Sequence, residues 1–62
     1  MKFVKVKEGV YVNLANVTDI RIEGRENNYV VVFYNKEDII TKSEGFTSFE
    51  EAEAFVRRVI NE

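Results

Sequence analysis

The chain has 62 residues, 45% of them hydrophobic, with 9 Lys and Arg against 11 Asp and Glu and a net charge of −2. That length allows one domain spanning 1–62, and the balance is too apolar for disorder and too acidic overall to draw the molecule to nucleic acid or anionic lipid. There is no Cys for a disulfide, and with neither Cys nor His zinc loses its usual ligands; a fold this small then gains most from self-association.

Met1-Lys2-Phe3 opens straight into a strand-like run with no apolar signal core, and no stretch is long enough to span a bilayer. A cytoplasmic location is the default expectation. Lys2–Lys7 alternates with period two, with Val4 and Val6 on one face and Phe3, Lys5 and Lys7 on the other. Glu8-Gly9 makes a tight turn, since Gly tolerates positive φ. Val10–Leu14 returns, with Val10, Val12 and Leu14 on one face. Leu14 and Val17 are three apart, which predicts one helical turn capped by Asn13. Thr18–Glu23 is a third strand with Ile20 and Ile22 inward, and Gly24–Asn28 is a polar loop.

Tyr29–Tyr34 is apolar at every position, the mark of a strand buried on both faces. Asn35-Lys36 suits a hairpin turn, because Asn accepts the left-handed conformation. Glu37–Lys42 follows as a short, charged edge strand. Ser48 and Glu51 form a capping box, with Thr47 and Glu50 as a second register. Phe49, Ala52, Phe55, Val56, Val59 and Ile60 then fall on one helical stripe. Glu53 and Arg57 stand four apart in the favourable order. The expected fold class is α+β: an antiparallel meander of four to five strands with one C-terminal amphipathic helix on one face.

Chemistry is sparse. Ser43 and Ser48 have no His or Cys to activate them and read as a loop residue and a helix cap. Glu37-Asp38 and Glu50-Glu51 read as a solvated turn and a helix start. The three Gly are scattered singly, so there is no phosphate loop. No catalytic residue, metal ligand or cofactor is expected, and the chain is not expected to be an enzyme. One constellation remains. The helix covers one sheet face; the other carries Phe3, Lys5, Lys7, Tyr11, Asn13, Arg21, Tyr29 and Phe33. Aromatics interleaved with cations suit either a protein interface or stacked single strands. Asp19 and Glu23 interrupt the basic character, which ranks the interface first. The expectation is a non-enzymatic interaction module, a homodimer or a partner of another protein. Binding of single-stranded nucleic acid through the open face comes second, and no membrane partner is expected.

Two segments carry a resemblance: Tyr11-Val12-Asn13-Leu14-Ala15-Asn16-Val17-Thr18-Asp19-Ile20, and Phe46-Thr47-Ser48-Phe49-Glu50-Glu51-Ala52. Together they resemble a pattern of short bacterial and phage proteins, which implies a strand–turn–strand unit and a capped helix but no activity. In layout the chain is also similar to the PUR repeat and to single-strand-binding transcriptional coactivators, which implies dimers that use an open sheet face. A fainter likeness in length and layout is to small flagellar FlbD-like proteins.

Overall fold

A computed structural model describes residues 2–61. The expectation that Met1 leads directly into the first strand lies outside the described residues. Strand β1 (Phe3–Lys7) and strand β2 (Val10–Asn13) form an antiparallel hairpin. Glu8-Gly9 turns it, with Gly9 at φ 77°. Alternation sends Val4 and Val12, which pair across the hairpin, into the core, followed by Val6. A bulge between Lys5 and Lys7 ends the strict alternation, and Lys7 pairs with the half-buried Val10.

The chain then leaves the hairpin through a 3₁₀ turn, Leu14–Asn16. Asn13 caps it as expected, its Oδ1 accepting the Ala15 N–H at 3.0 Å. Leu14 and Val17 pack against the core from this turn. The diversion has a large consequence: β2 does not pair with the next strand. Strands β3 (Asp19–Gly24), β4 (Tyr29–Asn35) and β5 (Asp38–Lys42) form their own antiparallel sheet in the order β3-β4-β5. The α+β class is as expected, with five antiparallel strands among the described residues, but they are divided between a two-stranded and a three-stranded sheet.

The β3–β4 connection is a tight turn. Glu26 and Asn27 both take positive φ (54° and 65°), and Arg25 N–H donates to the Asn28 carbonyl at 3.1 Å. Two consecutive positive φ values match the right-handed twist of the flanking strands. Gly24, at φ 113°, precedes this turn, and a Cβ there would lie 2.1 Å from the Asn28 carbonyl oxygen. At the β4–β5 turn the left-handed residue is Lys36 (φ 58°), not the expected Asn35. Thr18 fixes it: its Oγ1 accepts the Lys36 N–H at 2.6 Å while its own N–H donates to the Tyr34 carbonyl.

Helix α1 (Phe49–Asn61) starts at the expected cap. Ser48 Oγ accepts the Glu51 N–H at 3.1 Å. The Glu51 carboxylate reaches back one residue further than a simple box requires, taking both the N–H and the hydroxyl of Thr47. Ala52, Phe55 and Val59 are buried and Val56 is half-buried, while Phe49 and Ile60 at the stripe's two ends stay exposed. The helix lies on β3 and β4. Its buried stripe meets Val31 and Phe33 of β4 and the hairpin's Val4, Val6 and Val12 in one core.

Candidate interaction surfaces

The expected single face does not exist as one surface. The turn at Glu26-Asn27 pairs Ile20 with Phe33 and Ile22 with Val31, so the odd-numbered residues of β4 point at the helix. Phe33 is therefore fully buried in the core and offers nothing to a partner. Tyr29, on the same side, is half-buried and meets Phe49 of the helix edge to face, with centroids 6.1 Å apart. Both residues leave the candidate face for a plain reason: the face of β3 that carries two Ile must be the inner one, and cross-strand pairing carries that parity to β4.

The outer face of this sheet carries Asp19, Arg21 and Glu23 of β3 opposite Tyr34, Val32 and Val30 of β4. Val32 and Tyr34 are nonetheless buried. The register sets Arg21 on one side of Val32 and Lys42 on the other, and such long stems cover apolar surface while keeping their charge in water. Arg21 also lies over the Tyr34 ring, its guanidinium carbon 4.3 Å from the centroid. Its Nη2 is 3.4 Å from Asp19 Oδ2. The Tyr34 hydroxyl donates to the Glu23 carboxylate. That bond favours the neutral phenol and holds the Tyr34 pKa above its ordinary value, with burial adding to it. Asp19 is held below the usual carboxylate value, first by its hydrogen bond with Thr18 and then by Arg21. The chain thus closes its own outer sheet face with a cation, a ring and two carboxylates.

The remaining candidates lie on the hairpin. Phe3 pairs with Asn13 and Lys5 with Tyr11, so these four share the outward face. Phe3 and Tyr11 are diagonal neighbours there, 57% and 62% exposed. Lys5 is held by Glu8, Nζ to Oε2 at 3.2 Å. Lys7 leaves their register at the bulge, though it and Lys5 both line an open cleft with Val6, Phe46, Phe55 and Arg58. Of the eight expected residues, the structure therefore gathers Phe3, Lys5, Tyr11 and Asn13. Arg21 sits on the other sheet.

A second exposed apolar element escaped the sequence reading. Ile39 and Ile40 of β5 are 53% and 39% exposed. β5 carries a bulge: Phe33 pairs with Thr41 and Tyr34 with Ile39, leaving Ile40 without a partner on β4. Two adjacent β-branched residues in a charged edge strand were the signal available. Among the described residues, no three His, Cys, Asp or Glu gather as metal ligands, and no helix is long and apolar enough to cross a membrane. No protein-family model matches the chain, and no curated protein or solved structure shows significant similarity to it.

Proposed function

We propose that this chain is a non-enzymatic protein-interaction module that works as a homodimer. One observation carries the reading: of the six large apolar side chains that stay exposed among the described residues, four lie on strands at the margins of the two sheets and the other two, Phe49 and Ile60, at the ends of the helix. Phe3 and Tyr11 lie on the hairpin, and Ile39 and Ile40 lie on β5. Paired apolar side chains beside unpaired strand flanks are the ingredients of strand-to-strand and sheet-to-sheet contact. Enclosure of Val32 and Tyr34 within the chain moves the expected contact away from the centre of the three-stranded sheet and out to these margins.

Stacking of single strands is supported less. Lys5 is paired with Glu8 and Arg21 with Asp19, so two of the three cations of the expected face, all but Lys7, already face a carboxylate. Arg21 and the hairpin aromatics also stand on different sheets. The test is solution mass by light scattering across micromolar to millimolar protein, with and without a mixed-sequence oligonucleotide at low salt. The expected result is a mass rising toward twice 7.2 kDa and no change on adding the strand. A constant monomer mass removes the homodimer. Saturable oligonucleotide binding that weakens with salt replaces it with the nucleic-acid reading.

A further inference from the structure

We infer that the contact between copies is β5 against β5, antiparallel, joining two three-stranded sheets into one of six strands. This rests on the self-association proposed above and names its surface. β5 is a terminal strand of its sheet, paired with β4 alone among the described residues. The helix packs on β3 and β4, so neither its bulk nor its charge covers the β5 flank.

The occupant is identified by charge and by side-chain parity. The segment reads Glu37-Asp38-Ile39-Ile40-Thr41-Lys42: acidic at its start, apolar in the middle, basic at its end. A second copy running antiparallel sets each acidic start beside the other's basic end and apolar centre against apolar centre.

Parity then selects the register. A two-fold axis normal to the sheet keeps outer face with outer face. Ile39 and Lys42 pair with Tyr34 and Val32, which are outward; Thr41 pairs with the inward Phe33, and Asp38 with Asn35, two residues further on in the same parity. An axis on Ile40 would set inward Asp38 against outward Lys42 and is refused. An axis between Ile39 and Ile40 sets Ile39 against Ile40 of the second copy and Asp38 against its Thr41, and brings Glu37, in the turn that leads into β5, beside the second copy's Lys42. Asp38 and Thr41 then agree in parity, and the paired Ile39 of each copy meets the bulged Ile40 of the other. A bulge and charged residues are also how a monomer protects an edge. Those devices act against any strand, and a second copy offsets part of their cost. Here opposite signs stand equally far from the axis, which attracts the second copy.

The experiment is a charge exchange on the full chain. Glu37 and Lys42 are exposed; because the Lys42 stem also flanks Val32, circular dichroism first establishes that Glu37→Lys and Lys42→Glu keep the fold. Each variant alone sets like charges opposite one another at two symmetry-related places. Its dimer is expected to weaken about tenfold, because each pair turns from attraction to repulsion. An equal mixture of the two variants restores complementarity. Native mass spectrometry should then find the mixed dimer well above the twofold ratio to either variant's own dimer that random pairing gives, and sedimentation should return the affinity toward wild type. A wild-type dimer with both variants unaffected and the mixture statistical would overturn the β5 contact while leaving self-association standing. A wild-type chain that stays monomeric would overturn both.

Discussion

Ser43 is the residue whose role the sequence concealed. It is a buried polar residue in a segment that reads as loop. Its N–H donates to the Val31 carbonyl at 2.8 Å, and its Oγ accepts the Val31 N–H at 2.9 Å while donating to the Glu44 carbonyl. A side chain thus continues the sheet's ladder one step past β5. Ser43→Ala strands a buried N–H, and chemical denaturation should register a loss of about 1–3 kcal/mol; a loss under about 0.5 kcal/mol would mean that water replaces the hydroxyl. Tyr34 offers a second residue-scale test. Its pKa is raised in the folded chain by the bond it donates to Glu23. The folded state therefore keeps a proton that the unfolded state sheds, and stability present below about pH 10 is lost as pH rises through the folded value. Phenolate absorbance should show one of the three tyrosines ionising later than the others, and Tyr34→Phe should abolish that late step. Neither contact was legible, because both join residues more than ten apart whose proximity depends on strand register.

Elements were far more legible than their assembly. Period-two alternation, the Glu8-Gly9 turn, the Asn13-capped turn and the Ser48–Glu51 box are local signals, and each marks the element it predicts. Helix-spaced apolar residues located the buried stripe correctly except at its ends, where Phe49 and Ile60 stay exposed. The faces of β4 were not legible from β4 itself, since it is apolar throughout. They follow only from its partner: Ile20 and Ile22 must face inward, and a two-residue turn at Glu26-Asn27 then fixes which residues of β4 join them. That turn hangs on Gly24. At φ 113° with the Asn28 carbonyl where a Cβ would go, Gly24→Ala should cost more than about 1 kcal/mol and loosen the β3–β4 register. Gly9, also at positive φ but with open space around it, provides the control. Gly9→Ala should lose stability through backbone strain alone, so thermal melts should rank Gly24→Ala as the more damaging. The reverse order would mean that the β3–β4 turn shifts to relieve the clash.

At the scale of the whole molecule, the division into two sheets makes the helix the tie between them. The hairpin and β3–β5 do not pair with each other; they share a core into which the helix drops Ala52, Phe55 and Val59. Phe55 stands where the parts meet, with Phe46 tilted against its ring at 5.4 Å and the Arg58 guanidinium carbon 5.3 Å from its centroid. Removing it opens a cavity shared by both sheets. Phe55→Ala should cost about 3–5 kcal/mol, against a total that the usual ~0.05–0.15 kcal/mol per residue puts at only ~3–9 kcal/mol for a chain of this size. The variant should be largely unfolded or melt far below wild type by circular dichroism. Its response to concentration also carries information. The proposed association through β5 would engage only the folded form, so more protein should pull the variant back toward folding by mass action. The β5 edge lies outside the damaged core, which leaves that coupling intact. A melting temperature that rises with concentration in Phe55→Ala and in wild type alike is therefore the expected pattern. A folded Phe55→Ala with a near-normal melting point would mean that the hairpin and the three-stranded sheet hold together without the helix between them.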